Sequence, residues 1–258
     1  MLLSFFNRKY LVVSKIILTF ATVKIKIILD MRIKLNFDPN TKPIHNPLNK
    51  EVNGFINNVL GIGNEYHGKF SRYSVSSMQG GHMDKNGVLN FPNGGYIFVS
   101  SDSDEFISKF LRGISKKRNL LYVFDMKYKS MDIKDFKVNE RFDLVRTISP
   151  ILLSSKDKKV LTFQDEEFIS ILTEKSKKKL IKCGYDKNLV DTLNMRLFHP
   201  ENSRTKMVQV GEQKNIASKI MLYVEGDKSV RKALYELGIG KCTGFGFGSV
   251  SININNNK

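Results

Sequence analysis

Four histidines, His45, His67, His82 and His199, are the side chains best suited to acid–base work near neutrality, because an unperturbed imidazole titrates at about 6.5. Their neighbours separate them. His67 stands in Tyr66-His67-Gly68-Lys69-Phe70-Ser71-Arg72, so a hydroxyl from Tyr66 and two cations, Lys69 and Arg72, that could hold a phosphate lie close by in sequence. His45 lies between Pro43 and Pro47, a setting that reads as the turn before a helix, while His82 follows Gly80-Gly81 and His199 precedes Pro200. Metal chemistry has no matching signature. Two cysteines, Cys183 and Cys242, complete neither a four-ligand zinc site nor a disulfide framework. The acids Asp102, Asp104 and Glu105 gather where a helix is expected to start, where carboxylates are stabilising in any case. Neither metal nor cofactor is expected, and a reducing cytoplasm is the expected compartment.

The most specific pattern is Gly238-Ile239-Gly240-Lys241-Cys242-Thr243-Gly244-Phe245-Gly246-Phe247-Gly248. Glycine admits positive φ and close backbone approach, so N–H groups here could meet phosphate oxygens, with Lys241 adding charge. No Gly-Lys-Ser/Thr follows, so it is not a Walker loop. It comes after a helical pattern and runs into a strand, the reverse of a dinucleotide fingerprint. A purely structural use, in a tight helix–strand crossing, is the alternative. Phe245 and Phe247 alternate with glycine and read as core filling more readily than as base-stacking surfaces.

The elements that must carry these residues follow from periodicity. Alternation marks a strand over 32–37, and helical spacing marks 46–60, ending before Gly61. Strands are expected over 70–78 and 95–101. A helix capped by Ser103 or Asp104 follows, with Phe106, Ile107, Phe110, Leu111 and Ile114 on its apolar face, and then a strand over 120–131. The second half repeats the order: strand character over 142–153 broken at Pro150, helices over 165–183 and 189–197, a hairpin over 204–210 and 216–224, a helix over 228–237 and a strand over 247–254. The fold class expected is α+β, as two tandem ferredoxin-like, RRM-like β-α-β-β-α-β domains over 31–138 and 139–258. Such a fold leaves an open sheet face or an inter-domain cleft for RNA.

With 42 Lys+Arg against 25 Asp+Glu the chain carries +17, which points to a polyanionic partner, nucleic acid before an anionic membrane. The excess is spread along the chain. Residues 1–30 are an N-terminal extension whose apolar stretches are interrupted by Lys15, Lys24 and Lys26, too short to span a bilayer. Met31 reads as the natural start of the protein, with an amphipathic membrane anchor in 1–30 as the alternative. Otherwise no membrane association is expected.

The glycine loop resembles the signature of the repeat-associated mysterious protein (RAMP) superfamily of CRISPR systems. Within it the chain resembles the endoribonuclease that cuts precursor CRISPR RNA inside each repeat. Further likeness lies in Met31-Arg32-Ile33 with the helix 48–60, in 70–78 preceded by His67, and in Arg146-Thr147-Ile148-Ser149-Pro150-Ile151. The resemblance implies metal-independent cleavage, in which the 2′-hydroxyl attacks the phosphate to leave a 2′,3′-cyclic phosphate and a 5′-hydroxyl. It implies His67 as general acid or base, assisted by Lys69, Tyr66 and Arg72, with His45 a lesser candidate. Gly238, Gly240, Lys241, Gly244, Gly246 and Gly248, and the hairpin cations Arg204, Lys206 and Lys214, are the expected RNA contacts. The partners implied are CRISPR repeat RNA and a multisubunit effector complex. Two departures stand out: Asn57 occupies the helix position where many relatives carry tyrosine, and Lys69 lies only two residues beyond His67. A repeat-RNA binder or effector subunit that does not cleave is the alternative reading.

Overall fold

The computed structural model describes residues 31–45, 49–61, 63–66, 70–135, 138–210 and 213–252. Residues from Met31 onward form one compact unit. In its first half, β1 (Met31–Phe37) buries Ile33, Leu35 and Phe37 and turns Arg32, Lys34 and Asn36 the other way, as the two-residue period of a strand requires. α1 (Asn49–Leu60) buries Val52, Phe55, Ile56, Val59 and Leu60 along one stripe and stops at Gly61, whose φ is 98°. α2 (Asp104–Lys117) is capped by Ser103, whose hydroxyl accepts from the Phe106 amide at 3.2 Å. At Gly113 an added Cβ would lie 2.0 Å from the Val59 carbonyl, so glycine is what lets α1 and α2 cross closely.

These helices cover one face of an antiparallel sheet. Its strands are β2 (Ser74–Val75), β5 (Gly95–Ser100), β1, β7 (Met126–Asp135) and β6 (Tyr122–Val123), in that spatial order. A short hairpin, β3 (His82–Met83) with β4 (Leu89–Asn90), lies apart from it. The strand expected over 120–131 is instead a hairpin, because the chain reverses at Phe124-Asp125. Phe124 takes φ 57°, and Asp125 Oδ2 holds the turn by accepting from the Thr41 amide, the Thr41 hydroxyl and the Lys42 amide at 2.6–2.8 Å.

The second half contains β8 (Phe142–Thr147), β9 (Leu153–Ser154), β10 (Val160–Leu161), α3 (Phe168–Lys182), α4 (Lys187–Asp191), β11 (Asn194–Phe198), β12 (Arg204–Val210), β13 (Gln213–Lys219), β14 (Met221–Glu225), α5 (Lys228–Leu237) and β15 (Val250–Ile252). Its main sheet runs β11-β14-β8-β15, all antiparallel. The helix expected over 189–197 is corrected here. Leu189, Leu193 and Leu197 have helical spacing, but Leu193, Met195 and Leu197 also alternate, and packing against β14 selects the strand from Asn194 onward. The strand expected over 216–224 also divides. Thr147 takes both backbone groups of Ile220, donating to its carbonyl and accepting from its amide. The chain therefore passes at Ile220 from the separate β12–β13 ribbon into the main sheet. The second sheet carries its strands in the order second, third, first, fourth, and the first sheet follows the same path through β2-β5-β1-β7 with β6 added beyond β7, within an α+β architecture. Among the described residues no helix is long and apolar enough to cross a membrane.

Candidate nucleic-acid interface

The faces of β1 and β5 turned away from the helices open onto a cleft of about 560 Å³. Among the described residues five cations line it, Arg32, Lys34, Lys134, Arg146 and Lys219, and no carboxylate does. Three aromatic rings, Tyr96, Phe98 and Tyr235, interleave with them. The placement follows from strand period and register: Ile97 and Val99 point into the core, so Tyr96 and Phe98 point out, and Lys34 pairs with Phe98 while Arg32 pairs with Lys134. Lys34 Nζ sits 4.3 Å above the Tyr96 ring. The open face of the second sheet adds Phe142 stacked on Tyr223 at 4.3 Å, with Arg196 4.1 Å over Tyr223.

Arg32 joins the halves. Its guanidinium is 1% exposed, lies 3.7 Å over the Tyr235 ring, and donates to the carbonyls of Tyr235 at 2.8 Å and Val250 at 2.5 Å. Burial lowers its pKa to about 10, which still leaves it charged at neutral pH. Lys219 is also pushed below the ordinary lysine value, first by burial and then by Lys206, Arg204 and Arg146. Cations of three strands therefore crowd one edge of the cleft, with no acid paired to them among the described residues. Such a surface suits a polyanion: ammonium and guanidinium groups for phosphates, rings for unstacked bases.

The glycine loop lies elsewhere and does something different. Gly238, Gly244, Gly246 and Gly248 are buried. At Gly248, with φ 59°, a Cβ would stand 1.8 Å from the Ile239 carbonyl, and the Ile239 amide closes the loop by donating to Gly248 O at 2.9 Å. Gly244 packs on Ser71 and Tyr73, and Gly246 on Asn49, which donates to Phe245 O at 3.2 Å. Thr243 Oγ1 donates to Tyr73 O at 3.1 Å. Lys179, partly buried, donates to Leu237 O and Gly238 O at the end of α5 and to Thr243 Oγ1. The missing side chains thus serve close packing between the halves, and the expected open phosphate cradle is replaced by a seam. Gly240 is half-buried, and Lys241 is the solvent-facing end. Phe247 is in the core at 1% exposure.

The remaining expected site residues scatter. His67 and Lys69 lie outside the described residues. Tyr66 packs edge-on against Phe106 at 5.1 Å, and burial, then Glu105 and Glu65, raise its hydroxyl pKa. Arg72 is not a free cation: Nε and Nη2 meet both oxygens of Asp102 at 2.8 and 3.1 Å, and Asp102 also accepts from the Tyr185 hydroxyl at 3.1 Å. Asp102 therefore braces the halves instead of serving the start of α2. His45 and His82 are exposed, and His199, at φ 50°, pairs through Nδ1 with Glu201 at 2.7 Å. Arg204 and Lys206 are exposed on the ribbon, with Arg204 directly opposite Lys219, so both adjoin the cleft; Lys214 is exposed at the far end, opposite Gln209. Among the described residues no group of three or more His, Cys, Asp or Glu could hold a metal ion. Sequence reading missed Arg32, Lys34, Lys134, Arg146 and Lys219, although cations alternating with core residues in 32–35 were a usable signal.

Comparison with known proteins accords with this architecture. Residues 131–252 match the C-terminal family model of the CRISPR-associated protein Cas6. The CRISPR-associated endoribonuclease Cas6 1 of Methanocaldococcus jannaschii is 25% identical over 193 residues, covering 70% of this chain and 73% of that protein. The product of a Cas6-related gene from Pyrococcus furiosus has the same fold, with a TM-score of 0.76 at 20% identity over 87% of this chain and 99% of the other. A RAMP protein described as binding different RNA substrates superposes with a TM-score of 0.74 at 18% identity, over 86% and 99%. Residues 131–252 therefore resemble the C-terminal part of Cas6, and the fold is the one these solved structures share.

Proposed function

We propose that this protein is an endoribonuclease that matures precursor CRISPR RNA by cutting within its repeats. The observation that carries the reading is the cleft with five cations, three aromatic rings and, among the described residues, no carboxylate, in the fold that these solved structures share. The matching strand order of the two sheets supports a tandem ferredoxin-like pair with its boundary near residue 138. RNA lies in the cleft, its phosphates on Lys34, Lys134, Arg146 and Lys219 and its bases against Tyr96 and Phe98. Arg204 and Lys206 extend the positive track along the ribbon.

Cleavage proceeds by attack of a 2′-hydroxyl on the adjacent phosphate, without a metal ion. His67 moves the proton as general acid or base, and Lys69 stabilises the phosphorane charge. Tyr66 lines the approach. Arg72, held by Asp102, contributes through the bracing of this region and not as a free charge, and His45 is the reserve proton carrier.

The test is incubation of the full chain with its cognate repeat RNA in EDTA. Cleavage leaving 2′,3′-cyclic phosphate and 5′-hydroxyl ends is expected, falling about 10²–10⁴-fold in His67→Ala. Tight binding of RNA that stays intact in EDTA and in added magnesium would make the protein a non-cleaving repeat binder. Cleavage at an undiminished rate in His67→Ala would remove that residue from the mechanism.

A further inference from the structure

Away from the cleft, two lysines from distant segments converge on one residue. Lys175 of α3 donates from Nζ to the Ser154 carbonyl at 2.5 Å, and Lys241 of the glycine loop donates to the Ser154 hydroxyl at 2.5 Å. The approach is built into the backbone, because the Lys241 amide donates to Leu152 O at 2.9 Å and fixes the loop beside β9. Neither ammonium has a carboxylate partner among the described residues. The acid next along, Glu174, is ion-paired with Lys178 and feels Lys156 and Lys175 only at longer range. The Lys175 ammonium is accordingly pushed below its ordinary range, by burial first and by Lys241 next.

Two like charges held on one serine repel each other, and an anion between them would turn that repulsion into attraction. Each ammonium has three protons and spends one on Ser154, which leaves donors on both for a second acceptor. The position is also distinct from the cleft. α3 packs through Leu172 and Leu180 into the core beneath the second sheet, whereas Arg146 lies on the opposite face of β8 from buried Val145.

We infer that Ser154, Lys175 and Lys241 form a phosphate-binding site on the helix side of the second half, rimmed by Lys156 and Lys178. The chemistry fits one phosphate group, either from an RNA backbone that continues past the cleft or from free phosphate. The RNA source rests on the proposed function; the site itself does not.

Thermal unfolding of the full chain in chloride and in inorganic phosphate at matched ionic strength tests it. Phosphate is expected to raise the Tm, Lys175→Met and Lys241→Met each to lose most of that rise, and Lys175→Arg and Lys241→Arg to keep it. A cleft variant, Lys34→Ala with Arg146→Ala, should keep it too. No rise in the wild type, or an equal rise in the two methionine variants, overturns the site. Repeat-RNA binding then separates the sources. If RNA supplies the phosphate, the slope of log affinity against log salt falls by about 0.7 for each lysine removed. An unchanged slope beside a lost Tm rise assigns the site to free phosphate. Failure of the wild type to bind repeat RNA at all, with the Tm rise intact, removes the proposed function and leaves the site standing.

Discussion

The glycine-loop seam and the basic cleft both gather positive charge between the two halves, yet they treat it in opposite ways. In the seam each cation has its acceptor: Arg72 grips Asp102, and Lys179 caps the carbonyls ending α5. In the cleft, Lys34 lies over Tyr96 and Lys219 feels Arg146, and among the described lining residues there is no acid for these two or for Lys134. Charge that is matched holds the fold, and charge that is left unmatched on an open sheet face is available to a polyanion. Net charge alone does not distinguish the two, because both regions add to the same total.

Breaking the seam should cost stability first. Gly248→Val would force a β-branched side chain to φ 59° with its Cβ 1.8 Å from a carbonyl oxygen. A loss of about 3 kcal/mol or more is expected, read from the denaturant midpoint. An unchanged midpoint would show that the loop is not the tight crossing described.

The next effect is the pH dependence that the seam contributes through Lys179. Burial lowers Lys179 from 10.5 to about 8, so between those values the unfolded chain binds more protons than the native one. Stability should therefore rise as pH increases from about 8 to 10.5, by about 1–3 kcal/mol from this group. The penalty is fully present below pH 8 and vanishes above 10.5. Lys179→Met should remove that contribution, measured as the difference in unfolding free energy between variant and wild type across the range. Parallel curves for the two proteins would contradict the assignment.

Much of this architecture was legible in the sequence because it is local. The alternation in 32–37, the cap at Ser103 and the periodic stretch Lys228–Leu237 each carry their own signal, and each forms where expected. Segments with two competing periods were not legible: Leu193–Leu197 fits helix and strand alike, and only its pairing with β14 decides. The site was read least well, for a physical reason. Arg72 is neutralised by Asp102, thirty positions away, and the cleft draws cations from β1, β7, β8 and β13. Such pairings exist only once strands are in register. The glycine loop was found correctly as a special backbone, but its role as a seam depends on Asn49, Ser71 and Tyr73, which no local pattern links to it.

The central claim is that the unmatched cations of the cleft are the RNA-binding surface. The most direct measurement is repeat-RNA affinity against salt concentration for wild type and for Lys34→Ala with Arg146→Ala, alongside their unfolding free energies. The expected result is weaker binding with the slope of log affinity against log salt reduced by about 1.4 and stability changed by no more than about 0.5 kcal/mol per substitution. An unchanged slope, or a loss of affinity that merely follows a loss of stability, would contradict the claim.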